Sequence, residues 1–153
     1  MLCMHPYPQH ARRLSSKQDV TNRLFGEEYA ASGIKALDKN TGREAACAVC
    51  EYEDTSAVYV QWGRVNCSNG HTTQYSGMIM TSRTANYKTE FICVDHQRAV
   101  YATNDSKSLR GGKLYLTEML SGAMDEIKYP KFRELACAVC SANNNTRREL
   151  MSE

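Results

Sequence analysis

The chain has 153 residues, 42% hydrophobic and 24% charged, the composition of an ordinary globular protein. Its net charge of +2 sets up no strong field for nucleic acid or an anionic membrane surface, so neither is expected as a partner. No apolar run approaches the roughly 20 residues of a membrane-spanning helix, and the nine glycines show no Gly-X-Y period, which excludes a collagen triple helix in this stretch.

In chain order, Met1 to Ser16 has no continuous apolar core and does not read as a secretory signal. Glu27 to Lys39 is ambiguous: Ala30-Ala31 and Ala36-Leu37 favour helix. Val58, Val60 and Trp62 alternate with Tyr59 and Gln61, the period of a strand with two distinct faces. Ser68-Asn69-Gly70 predicts a turn, because Asn-Gly tolerates positive φ. Tyr75 to Thr81 is a second strand, with Gly77 marking a bulge or a close approach. Phe91-Ile92-Cys93-Val94 is a third. Asn104 to Gly112 is a polar loop. Lys113 to Glu118 is a fourth strand, although Leu114 to Ile127 also admits a helical reading. Leu135 to Val139 is the last, and the polar stretch from Ser141 to Glu153 is expected to be disordered. Short strands at turn-punctuated intervals predict an all-β protein.

The cysteines impose a longer period. Cys3, Cys47 and Cys50 stand 90 positions before Cys93, Cys137 and Cys140. Ser16-Lys17, Leu24 and Glu28 keep the same register with Ser106-Lys107, Leu114 and Glu118. Arg43-Glu44-Ala45-Ala46-Cys47-Ala48-Val49-Cys50 aligns with Arg133-Glu134-Leu135-Ala136-Cys137-Ala138-Val139-Cys140. Such a register predicts tandem duplication of a module of about 90 residues. The counterpart of Cys67 would precede Met1. The expectation is therefore the back half of a first module (1–50), truncated at its N-terminus, a complete second module (55–142) and a polar tail (143–153).

Four roles compete for the cysteines. Their fixed, repeated spacing suits structural disulfides. Two Cys-x-x-Cys pairs are also raw material for a Cys₄ zinc site, but zinc ribbons place the pairs about 15–20 residues apart, whereas 86 residues separate Cys50 from Cys137. A redox dithiol needs a thiol pKa lowered by a helix N-terminus or a cation, and Ala-Val between the cysteines suggests a buried strand instead. Free buried thiols are the plainest reading, and the maintained register argues against them.

Cys47-Ala48-Val49-Cys50-Glu51, Trp62-Gly63-Arg64-Val65-Asn66-Cys67-Ser68-Asn69-Gly70, Gln74-Tyr75-Ser76-Gly77-Met78, Glu90-Phe91-Ile92-Cys93-Val94-Asp95 and Arg133-Glu134-Leu135-Ala136-Cys137-Ala138-Val139-Cys140 follow one another in this order. The succession resembles the noncollagenous C-terminal region of invertebrate short-chain (spongin-type) collagens and, more distantly, the noncollagenous C-terminal domain of type IV collagen. Ser68 departs from that family's pattern where it has Pro, and His71 where an aromatic is common. The resemblance implies a duplicated all-β domain and a pairing: Cys67 with Cys140, Cys93 with Cys137, and Cys3 with Cys47, leaving Cys50 as an unpaired thiol. It also implies self-association of collagen-like chains in trimers.

Catalytic signatures are not evident. The sequence contains no Gly-x-Ser-x-Gly, phosphate-cradling glycine loop or His-Glu-x-x-His. Asp95 and His96 adjoin Cys93, but neighbours in a strand point to opposite faces and make a poor triad. Of the sequons at Asn66, Asn104 and Asn144, Asn104 is the best glycosylation candidate because it lies in the predicted loop. Tyr59, Trp62, Tyr75, Tyr87 and Tyr115 could line a carbohydrate site, although strand aromatics more often form core or cross-strand pairs.

The sequence is therefore expected to be all-β, built of tandem disulfide-braced modules, non-catalytic, extracellular and without cofactor or bound metal. Its expected partners are copies of itself or collagen-like chains, as part of a longer secreted matrix protein. The alternatives are a secreted module recognising glycans or microbial surfaces, and an intracellular Cys₄ zinc-binding domain.

Overall fold

The structure, a computed structural model, describes residues 9, 27–30, 39–50, 55–82, 90–100, 112–122 and 124–143. Among them the chain is strand-rich and contains no helix. Six strands form a mixed sheet: β1 (Glu27–Tyr29), β2 (Thr55–Trp62), β3 (His71–Thr81), β4 (Ile92–Asp95), β5 (Gly112–Leu116) and β6 (Ala136–Asn143). Their order is β1-β5-β3-β6-β2, with β4 pairing β3. All pairings are antiparallel except β1 with β5.

β6 is the central strand. It pairs along its length with β2 on one side and β3 on the other. Residues Cys137 to Ser141 are consequently all buried. Its extent differs from the sequence expectation, which ended the strand at Val139 and put Ser141 in a disordered tail. Ser141 is only 1% exposed, and its hydroxyl accepts a 2.8 Å hydrogen bond from Gln74 Nε2. A central strand supplies backbone partners on both edges, so polar side chains there can be buried once they are hydrogen-bonded.

The connection from β2 to β3 contains the expected turn: His71 N–H donates to the Ser68 carbonyl at 3.1 Å, with Gly70 at φ 79°. After β5 the chain turns rather than entering a helix. Of the ambiguous 27–39 segment, 27–29 is strand; 31–38 lies outside the described residues, as does the expected loop at 104–111.

Tyr29, Met80, Val94 and Leu114 form a buried cluster, with Ile92, Leu116, Ala45 and Val100 packed against it. Tyr29 and Ala45 come from the first part of the sequence and the others from the second, so the two parts share this cluster. Arg98 lies over the Tyr29 ring, its guanidinium carbon 5.3 Å from the centroid. Burial pushes the Tyr29 phenol upward, and the Arg98 charge offsets part of that shift.

A hydrogen-bond pattern recurs at the 90-residue offset. Tyr29 N–H donates to Arg43 O, Gly42 N–H to Tyr29 O and Ala45 N–H to Glu27 O. The equivalent bonds run from Met119 to Arg133, from Phe132 to Met119 and from Leu135 to Thr117. Isolated bridges join Glu28 to Glu44 and Glu118 to Glu134. Gly42 and Phe132 occupy the same place in this pattern, and both have positive φ, 72° and 60°.

Candidate functional site

The structure joins Cys67 to Cys140, with Cα atoms 5.7 Å apart, and Cys93 to Cys137, with Cα atoms 5.8 Å apart. Both distances lie within the span of a disulfide. Cys47 is also disulfide-bonded, while Cys3 lies outside the described residues. Cys50 is an exposed free thiol.

Strand geometry explains why Cys137 and Cys140 take separate partners. Side chains alternate across a strand, so residues three apart point to opposite faces. Cys137 shares its face with its cross-strand neighbours Trp62 and Gly77, and Cys140 shares the other with Tyr59 and Thr73. Each cysteine is fully buried. Their engagement with Cys93 and Cys67 precludes a Cys₄ arrangement with Cys47 and Cys50 in this oxidised state. The bridge also occupies the sulfur of Cys93, the residue beside Asp95 and His96.

β4 and β6 lie on opposite edges of β3, where two strand spacings would separate them by about 9.5 Å. The 5.8 Å Cα separation of Cys93 and Cys137 shows that β4 folds over β3 instead. The fold-over happens at Gly77, which pairs with Asp95 on one edge and Cys137 on the other. A side chain at Gly77 would overlap the backbone carbonyl of Val94. This is the close approach that Gly77 suggests within its strand.

The outer edge of β2 has no strand partner among the described residues. β1 differs: its outer side bonds to the segment 43–45. On β2, Val58 is 53% and Trp62 46% exposed. Val58, Val60 and Trp62 share the face of Cys137, and the stripe ends in a cleft of about 410 Å³ lined by Trp62, Ile79, Glu90, Phe91, Thr117 and Leu135. The Thr117 hydroxyl oxygen is buried without a hydrogen-bond partner.

Of the aromatic residues singled out in the sequence, Tyr59 and Trp62 lie on opposite faces of the sheet. Tyr59 hydrogen-bonds His71 Nδ1 on the face opposite the cleft, and Tyr75 OH donates to the Cys93 carbonyl at 3.1 Å. Trp62 lines the cleft with Phe91, whose role sequence reasoning missed. The sequence placed Phe91 at the head of an apolar strand run, and its approach to Trp62 comes from the folded structure. Asn66 is exposed beside the bridged Cys67, whereas Asn104, Asn144 and Tyr87 lie outside the described residues. Compared with known proteins, the chain matches no family model, no curated protein and no solved structure.

Proposed function

We propose that this chain is a non-catalytic structural module of an extracellular, collagen-associated matrix that binds copies of itself or collagen-like chains. The observation that carries the reading is the outer edge of β2, which has no strand partner among the described residues and along which Val58 and Trp62 are exposed. An unpaired strand edge with apolar side chains is a template for pairing with another chain. The two bridges support an oxidising compartment, because disulfides persist there and are reduced in the cytosol. Among the described residues, no helix is long and apolar enough to cross a membrane. The recurring hydrogen-bond pattern supports tandem modules, each organised around the same hairpin.

Sedimentation of the oxidised protein, with and without Val58→Lys, tests this reading. A lysine on an edge strand opposes edge-to-edge pairing. The expected result is concentration-dependent association that Val58→Lys weakens. A protein that stays monomeric at about 200 µM, well above the micromolar range of modest interfaces, would end the proposal.

A further inference from the structure

The self-association proposed above leaves open what fills the Trp62–Phe91 cleft. The hairpin that begins and ends in the cleft wall, at Thr117 and Leu135, carries an exposed apolar group where its paired segment ends against Met119. Phe132 is 68% exposed there and held at φ 60°. A left-handed backbone is unfavourable at a non-glycine residue, and glycine occupies the equivalent place in the first hairpin, at Gly42. Phe132 thus combines two unfavourable features, a strained backbone and a bare ring, and such outliers direct attention to function.

The surroundings of this ring complement those of the cleft. Lys131 and Arg133 flank Phe132, and the Lys131 ammonium lies 5.9 Å from its ring centroid. The cleft is apolar through Trp62, Ile79, Phe91 and Leu135, carries a carboxylate on Glu90, and holds the unpartnered hydroxyl of Thr117. The geometry points to a second copy of this chain as the occupant: Phe132 of one copy enters the Trp62–Phe91 cleft of the other, with Lys131 against Glu90. Knob and cleft belong to one hairpin and its base, so two copies related by a twofold axis exchange knobs reciprocally, as an isologous contact requires. The contact rests on the self-association reading and shares Trp62 with the β2 edge, but its knob, Phe132, and its charge pair lie outside that edge.

The test is sedimentation velocity on the oxidised full chain, comparing wild type with Phe132→Gly, Glu90→Lys, Lys131→Glu and the Glu90→Lys/Lys131→Glu double variant. Peptide mapping of both bridges verifies the fold of each. A dimer is expected, weakened about tenfold or more by Phe132→Gly, as for an anchor residue at an interface. Each single charge reversal weakens it, and the double reversal restores it. Wild-type association unchanged by Phe132→Gly overturns this contact and leaves the edge reading standing. Loss in both charge variants without recovery in the double variant overturns the docked orientation. A monomeric wild type overturns both proposals.

Discussion

Gly77 and Val94 are in backbone contact: the space a side chain would need at Gly77 is taken by the Val94 carbonyl. This contact lets β4 cross β3 and brings Cys93 within reach of Cys137. Gly77→Ala must push β4 away, and overpacking against a backbone atom costs about 2–3 kcal/mol. Urea denaturation should show that loss. Refolding under oxidising conditions should give less of the Cys93–Cys137 peptide while the Cys67–Cys140 peptide persists.

Removing the outer bridge should be comparably severe. Cys67 and Cys140 are 73 residues apart, and a cross-link of that span contributes about 4 kcal/mol in the loop-entropy account. A Cys67→Ala/Cys140→Ala variant should lose about that much in denaturant, less whatever the nested Cys93–Cys137 bridge already restrains.

The free thiol makes a simpler expectation. Among the described cysteines, only Cys50 should take up label when native protein is treated with iodoacetamide. Label at Cys67, Cys93, Cys137 or Cys140 would contradict the bridges described here.

Phe132→Gly should stabilise the monomer. Relief of the left-handed strain, roughly 1–2 kcal/mol, exceeds the entropic cost of a glycine, roughly 0.5–1 kcal/mol. A net gain of about 0.5–1 kcal/mol is expected from these two effects, readable by chemical denaturation at low protein concentration. The same substitution at an ordinary loop position would destabilise.

Two carboxylates should respond oppositely to pH. Burial raises Glu27 above its usual 4.5, so the unfolded chain ionises first as pH rises. Stability therefore falls from about pH 4.5 upward until the folded group has also ionised. Glu27→Gln should remove that fall and match wild type below pH 4.5. Glu126 is lowered by hydrogen bonds from the Ser121 hydroxyl and the Gly122 N–H. Its contribution is present above pH 4.5 and disappears as pH falls through the folded value. Amide chemical shifts at Gly122 should report that transition.

Local signals made much of the sheet legible. The alternation from Val58 to Trp62 reflects the two faces of β2, and Asn69-Gly70 lies at the turn that follows. The Cys-x-x-Cys spacing also contained more than it first disclosed. On a strand, three residues separate opposite faces, so Cys137 and Cys140 were already unable to share a partner on one face. The parallel pairing of β1 with β5 left no local trace: a three-residue strand is too short for a period, and its partner lies some 85 residues away. The burial of Ser141 was hidden for a related reason, since its environment comes from neighbours on β2 and β3. At Phe132 only the 90-residue alignment with Gly42 hinted at a left-handed backbone.

Both bridges end on β6, the last described strand of the chain. On the proposed secretory route, Cys67 and Cys93 enter the oxidising compartment before Cys137 and Cys140 do. They must wait there as thiols, because their partners are still on the ribosome or within the translocation pore. The two native bonds can close only after β6 has been delivered, so they follow delivery of every strand before it. A Cys67–Cys93 bond formed before β6 arrives would be non-native and would have to be exchanged before either native bridge could close.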